Sequence, residues 1–179
     1  MSDADQRLAA IELLTFDIDG TLTDATTWWA GEEAGWIQRY SIRDGEALLR
    51  LARGGLPIVP LSRNKTAAAL RRMQHLRCAV DWLGVDDKIA ALEQIRARHG
   101  DVPRDRILHI GDGIDDAVVF EHVGVGVAVA DAHWKAIEQA TIVLRSRGGA
   151  RVVEELEDLL VKAGNPRLVS HRASGGARR

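Results

Sequence analysis

The stretch IELLTFDIDGT, residues 11–21, decides the fold. Its first part is apolar and β-prone, and it ends abruptly in Asp17, Asp19 and a Gly20-Thr21 turn. A short apolar run closed by turn residues reads as a buried strand. Four further segments have the same character: LPIVPLS (56–62), DRILHIGD (105–112), VGVGVAVAD (123–131) and ATIVL (140–144), with CAVDWL (78–83) as a minor strand. Between them lie helical patterns. GEALLRLAR (45–53) places Ala47, Leu48, Leu51 and Ala52 on one face. KTAAALRRMQHL (65–76), DKIAALEQIRARHG (87–100) and VVEELEDLLVKAG (152–164) read likewise, the last two closing on Gly100 and Gly164. Strands alternating with helices make βαβ units, so the fold expected is α/β with a parallel central sheet covered on both faces.

One segment interrupts the alternation. TDATTWWAGEEAGWIQRYSI (23–42) has two β-prone runs around Gly-Glu-Glu-Ala-Gly and reads as a β-hairpin following the first strand. It holds Trp28, Trp29 and Trp36, three of the chain's five tryptophans, which suits either a small packed hairpin or a subunit interface. Glu32 and Glu33 at its turn read as solvated.

Length and composition bound the rest. The 179 residues make one domain, 46% hydrophobic and 28% charged. The expected organisation is a single domain over 1–162 and a flexible basic tail over 163–179. The tail carries Arg167, Arg172, Arg178 and Arg179 and no acid, so removing those four charges takes the net charge from -2 to -6. An acidic body argues against nucleic acid. A single cysteine, Cys78, excludes an internal disulfide and a cysteine-rich zinc site. No apolar run approaches the roughly 20 residues that span a bilayer, and MSDADQR is no signal peptide. The expectation is a cytoplasmic protein without membrane or nucleic-acid partners.

In open parallel sheets ligands bind beyond the carboxyl ends of the strands. Asp17-Ile18-Asp19-Gly20-Thr21 follows the first strand, Ser62 the second, and Gly111-Asp112-Gly113-Ile114-Asp115-Asp116 the third, while Lys88 opens the helix after the minor strand. Crowded carboxylates need a counter-cation, and a hard oxygen site suits Mg²⁺. Ser62, Lys88 and the backbone N–H groups at Gly20-Thr21 are donors for a phosphoryl oxygen. A carboxylate facing phosphorus is a competent nucleophile, and a second two residues along serves as general acid and base. His109, inside a strand, reads as a core histidine; Asp115 and Asp131 read as local caps. His75, His99, His122 and His171 lack metal spacing, and Gly124-Val125-Gly126 lacks the third glycine of a dinucleotide fingerprint.

DIDGT, a strand-end Ser, a Lys and GDGIDD, in that order, resemble the four motifs of the haloacid-dehalogenase (HAD) superfamily. LLTFDIDGTLTD, the hairpin, IRDGEALLRLARGG, VDDKIAALEQI and VGVGVAVADAH look like the 3-deoxy-D-manno-octulosonate 8-phosphate phosphatase family and the related nonulosonate 9-phosphate phosphatases. The resemblance covers roughly residues 10–162 and implies a Rossmann-like HAD fold and a Mg²⁺-dependent phosphatase acting on an acidic sugar phosphate. It implies Asp17 as the nucleophile that becomes an aspartyl-phosphate and Asp19 as acid and base. Mg²⁺ would be held by Asp17, the backbone carbonyl of Asp19, and Asp112, with Asp116 orienting the metal's surroundings. Ser62, Lys88 and Gly20 would grip the phosphoryl group.

Asp17 and Ser62 are 45 residues apart, and Lys88 and Asp112 are 24 apart, which leaves no room for a cap domain. The family covers its sites by forming homotetramers through the hairpins, with the tail reaching a neighbouring site. The chain departs from the family at Ser62-Arg63-Asn64, where Thr-Gly-Arg is usual, at Gly148-Gly149-Ala150-Arg151, where Gly-Gly-Arg-Gly is usual, and at Gly113, usually Asp. The first two lie where substrate recognition would occur and leave room for another acidic sugar phosphate. A receiver module that accepts phosphate without turnover, and a catalytically silent HAD scaffold, are the competing readings. The DxD spacing and the late GDGIDD oppose the receiver, and the complete set of catalytic groups opposes the scaffold.

Overall fold

The computed structural model describes residues 2–168. Five parallel strands form the central sheet: β1 (Leu13–Phe16), β4 (Ile58–Pro60), β5 (Ile107–Gly111), β6 (Val125–Ala128) and β7 (Ile142–Val143). Their order is β4-β1-β5-β6-β7. β2 (Trp28–Trp29) and β3 (Trp36–Ile37) pair antiparallel as a separate two-stranded sheet, with Trp29 opposite Trp36.

Every residue of β1, β5 and β6 is buried, as a sheet covered on both faces requires. Successive side chains point to opposite faces. Leu14, Phe16, Leu108 and Ile110 face one apolar layer that includes residues of α2 (Ile42–Arg53), α3 (Ala67–His75) and α7 (Val152–Lys162). Leu13 and Ile107 face a second layer with Leu92 and Ile95 of α4 (Lys88–Arg98), Trp82, Val59 and Leu61. The helices expected over 45–53, 65–76, 87–100 and 152–164 are these four, shifted by a few residues at their ends.

Three helices lack a counterpart in the sequence reading. α1 (Asp3–Ala9) starts with a capping box between Ser2 and Asp5. α5 (Ile114–Phe120) and α6 (Trp134–Gln139) flank β6. All three are two turns or shorter, too short for a 3.6-residue period to declare itself. The minor strand expected over 78–83 is absent. That segment lies between positive-φ residues Arg77 (58°) and Gly84 (74°), and only Leu83 bridges to the sheet, beside Ser62. The tail reading falls mostly on residues 169–179, outside the described residues. Its first part is packed: Leu168 is buried, and buried Asn165 donates from Nδ2 to the carbonyls of Leu8 and Ile11 at 3.0 Å each.

Among the described residues no helix is long and apolar enough to cross a membrane.

Candidate active site

The chain leaves β1 to one side for β4 and then crosses to β5 on the other, so the sheet's switch point lies between β1 and β5. Register sets which residues meet there. Phe16 is level with Pro60 on one side and Ile110 on the other. Asp17, Ser62 and Asp112 therefore emerge together at the carboxyl edge of three adjacent strands. Together with Asp19, Arg63, Asn64, Lys88 and the start of α5, several of these line a cleft of about 390 Å³.

Glycine makes the close approach possible. Gly20 has φ +78°, and a Cβ there would overlap the Asp112 carboxylate. Its N–H donates to Thr23 Oγ1 at 3.2 Å. A Cβ on Gly148 would run into the Gly20 carbonyl, so the Gly148-Gly149 loop after β7 buttresses the same turn.

Lys88, at the start of α4 and 6% exposed, holds the centre together. Its Nζ lies 2.6 Å from Asp116 Oδ1 and 3.2 Å from Asp17 Oδ1. The two carboxylates outweigh the burial that pushes the ammonium down, and hold it above its ordinary value. Asp116 accepts four donors: Lys88 Nζ and His109 Nε2 at Oδ1, and the N–H groups of Asp112 and Gly113 at Oδ2. Burial opposes its ionisation, but the His109 and Lys88 contacts win and keep it well below the usual carboxylate range. Buried Asp17 is pushed up by desolvation, with Lys88 opposing and Asp116 adding repulsion. Asp112 is pushed up to about 7 by burial and by Asp17 and Asp116.

Oxygens of Asp17, Asp112 and Asp116 lie within 4.8 Å of one another. Asp17 Oδ1 is buried and takes no well-directed hydrogen bond despite its nearness to Lys88. A buried carboxylate oxygen without a directed hydrogen bond, beside a second carboxylate crowded by its neighbours, fits a hard divalent cation. Asp17 and Asp112 have the free lone pairs to ligate one, whereas those of Asp116 are spent on its four donors.

The structure adds His109 and Gln38 to the site, and it gives Asn64, expected from its segment to lie near substrate, a specific partner in Asp19. His109 is fully buried, as a core histidine would be, but its Nε2 is 2.9 Å from Asp116 and its Nδ1 2.9 Å from Thr15 Oγ1. Thr15 and His109 are register partners in β1 and β5. Gln38, just past β3, donates from Nε2 to Asp19 Oδ1 at 2.5 Å, and Asn64 donates from Nδ2 to both Asp19 oxygens at 2.9 Å. Tyr40 donates to Gln38 Oε1 at 3.4 Å; burial and the Asp19 charge push its phenol up to about 12, so it stays a donor. Asp115 pairs with Arg63 at 2.8 Å, and Asp131 binds Arg147 and accepts the Gly148 N–H at 2.9 Å.

Residues 84–155 match the haloacid dehalogenase-like hydrolase family. The chain is 30% identical over 161 residues to the 3-deoxy-D-manno-octulosonate 8-phosphate phosphatase of Yersinia pestis, covering 90% of this chain and 85% of that protein. Its structure is similar to that of a probable YrbI family phosphatase from Pseudomonas syringae, with TM-score 0.87, 30% identity and coverage of 98% and 99%. It shares its fold with the 3-deoxy-D-manno-octulosonate 8-phosphate phosphatase of Moraxella catarrhalis, solved with magnesium, phosphate and the sugar. There the TM-score is 0.88 at 23% identity, over 98% of this chain and 99% of that one.

Proposed function

The chain belongs to the 3-deoxy-D-manno-octulosonate 8-phosphate phosphatase family of haloacid dehalogenase-like hydrolases and is a phosphatase; from that premise we propose that it hydrolyses the phosphomonoester of an acidic sugar, with Mg²⁺ as cofactor and an aspartyl-phosphate intermediate. The observation that carries the reading is the Asp17 carboxylate at the end of β1, its Oδ1 unbonded and 3.2 Å from Lys88, with Asp112 and Asp116 beside it.

Asp17, Asp112 and the Asp19 backbone carbonyl would hold the magnesium ion. Once bound, it neutralises the crowded carboxylates and polarises a phosphoryl oxygen. The Ser62 hydroxyl and Lys88 ammonium hold the other phosphoryl oxygens, and the Lys88 charge favours the ionised form of Asp17. An Asp17 carboxylate oxygen attacks phosphorus, and the bond from phosphorus to the sugar oxygen breaks with its electron pair going to that oxygen. Asp19 gives this oxygen a proton, and the sugar alcohol leaves. Water then attacks the phosphorus of the acyl phosphate, passes a proton to Asp19, and phosphate departs from a regenerated Asp17.

The octulosonate 8-phosphate is the first substrate to test. The uncharged amide of Asn64, where the family usually carries Arg, favours a second reading within the same chemistry: a nonulosonate 9-phosphate or another sugar phosphate. Phosphate release with Mg²⁺, run against these sugars, tests both. The reading expects turnover of one of them that Asp17→Asn abolishes without unfolding the protein. Activity surviving in Asp17→Asn would remove Asp17 as nucleophile.

The hairpin supports a homotetramer. Trp28, Trp29, Trp36 and Ile37 are all exposed in a two-stranded sheet, a patch of the kind that buries against another subunit. Sedimentation equilibrium expects a tetramer that Trp36→Glu dissociates. A wild-type monomer at micromolar concentration would rule the assembly out.

A further inference from the structure

We infer that Gln38 and Asn64 are positioning residues for Asp19, forming an amide clamp that presents one chosen carboxylate oxygen to the leaving group. The inference rests on Asp19 being the acid and base of the phosphatase reading.

The clamp is oriented from outside the cleft. Asn64 Oδ1 accepts the backbone N–H of Thr66 at 2.9 Å and its hydroxyl at 2.7 Å. Thr66 is the residue that caps α3, so those donors are rigid. With the carbonyl side of the amide committed, the Nδ2 side must face Asp19. Its two hydrogens divide between the Asp19 carboxylate, at 2.9 Å from each oxygen, and Gln38 Oε1 at 3.2 Å. Gln38 is turned the same way. Its Oε1 accepts from Asn64 and from the Tyr40 hydroxyl, so its Nε2 faces Asp19 Oδ1 at 2.5 Å. Neither amide can flip without losing its carbonyl partners.

The result is asymmetric. Asp19 Oδ1 carries donors from both amides, and Oδ2 carries only its share of Asn64. Oδ2 is thus the oxygen with room for a proton, and it is the one that exchanges it with the sugar oxygen and later with water. The clamp also joins three separated pieces of chain. Asp19 belongs to the turn after β1, Gln38 follows the hairpin strand β3, and Asn64 follows β4. The hairpin is therefore part of what aims the acid.

The test separates aiming from general damage by varying the leaving group. A primary alkyl phosphate needs a proton on its departing oxygen, whereas p-nitrophenyl phosphate releases a stable phenolate. The ratio kcat/KM reports steps up to loss of the leaving group, so the later water attack does not blur the comparison. Asn64→Asp keeps an oxygen for Thr66 and replaces the clamping donor with a like charge; Gln38→Ala removes the other arm from a half-buried position. For the alkyl phosphates named above, kcat/KM is expected to fall about 100-fold in Asn64→Asp and about 10-fold in Gln38→Ala, the scale of a misplaced reacting group. For p-nitrophenyl phosphate both should fall less than about 5-fold, because general-acid assistance is not needed there. An equal loss on both substrates in the folded variants, or no loss on either, overturns the clamp while leaving the phosphatase reading in place. Absence of Asp17-dependent hydrolysis of any substrate by the wild-type protein overturns both.

Discussion

Asp44 is expected to govern the stability of the whole α2–α7 layer. It sits in the first turn of α2 and is 1% exposed, yet its carboxylate serves another helix. Oδ2 accepts the Arg151 N–H at 3.1 Å, and Oδ1 accepts those of Val153 at 2.8 Å and Glu154 at 3.4 Å. Arg151 is the residue preceding α7, and its own side chain makes no capping bond. The second and third N–H groups of α7, which have no partner inside their helix, are thus capped by Asp44 from 107 or more residues away. Hydrogen bonds to a charged group contribute about 1.5–3 kcal/mol each. Two well-formed bonds and one long one, less whatever water recovers, put Asp44→Ala at about 4 kcal/mol. Asp44→Asn keeps the Oδ1 bonds but loses the charge and turns an NH₂ toward Arg151, for about 2 kcal/mol. Against a typical domain stability of about 5–15 kcal/mol, the alanine variant loses a large share. At about 2–4 °C per kcal/mol for a chain of this size, its Tm drops by roughly 8–16 °C. Urea unfolding followed by tryptophan fluorescence and circular dichroism measures both, and the midpoint should fall with an unchanged m value. A loss below about 1 kcal/mol in Asp44→Ala, or equal losses in the two variants, would refute the cap.

Arg151 adopts φ +73°, a left-handed conformation unfavourable for a residue with a Cβ, and its ion pair with Glu154 is exposed. Arg151→Gly is therefore expected to raise stability by about 0.5–1 kcal/mol in the same urea assay; a loss would mean that the ion pair outweighs the strain. In Gly20→Ala the new Cβ must displace the Asp112 carboxylate, so calorimetric titration should show Mg²⁺ affinity weakened by at least about tenfold. Unchanged affinity would separate Asp112 from the metal. Asp112 is pushed up to about 7 by burial and by Asp17 and Asp116, above its unfolded value. Such a carboxyl contributes fully below its unfolded value and loses that contribution as pH rises to its folded value, so with EDTA present Tm should fall between about pH 4 and 7 and level off above. Magnesium should restore it most at the upper end, and Asp112→Asn should flatten the slope; a flat wild-type profile would contradict the crowding of carboxylates.

The strands and the placement of polar residues at their ends are legible for a common reason. Buried parallel strands are short continuous apolar runs, and Asp17, Ser62 and Asp112 each stand one or two residues past such a run. Strand order and parallel register then bring them together without further instruction. Lys88 is legible because it begins a long, regular helix. The short helices α1, α5 and α6 are not, because a helix of six or seven residues shows too little periodicity to compete with the strand-like apolar content of a segment such as Ile114–Phe120.

What tertiary structure alone decided is the pairing of polar side chains. His109 reads as core from its strand and is buried as such, but only the alignment of β5 with β1 and the start of α5 puts its two nitrogens on Thr15 and Asp116. Nothing local marks Gln38 or Asn64 as partners of Asp19, 19 and 45 residues away in the chain. Asp44 looks like an ordinary first-turn acid of its own helix and caps a different one. Burial pattern is a property of neighbours along the chain and is written in the sequence. A hydrogen bond needs two groups within about 3 Å and correctly aimed, and for residues far apart in sequence only the packed fold determines that.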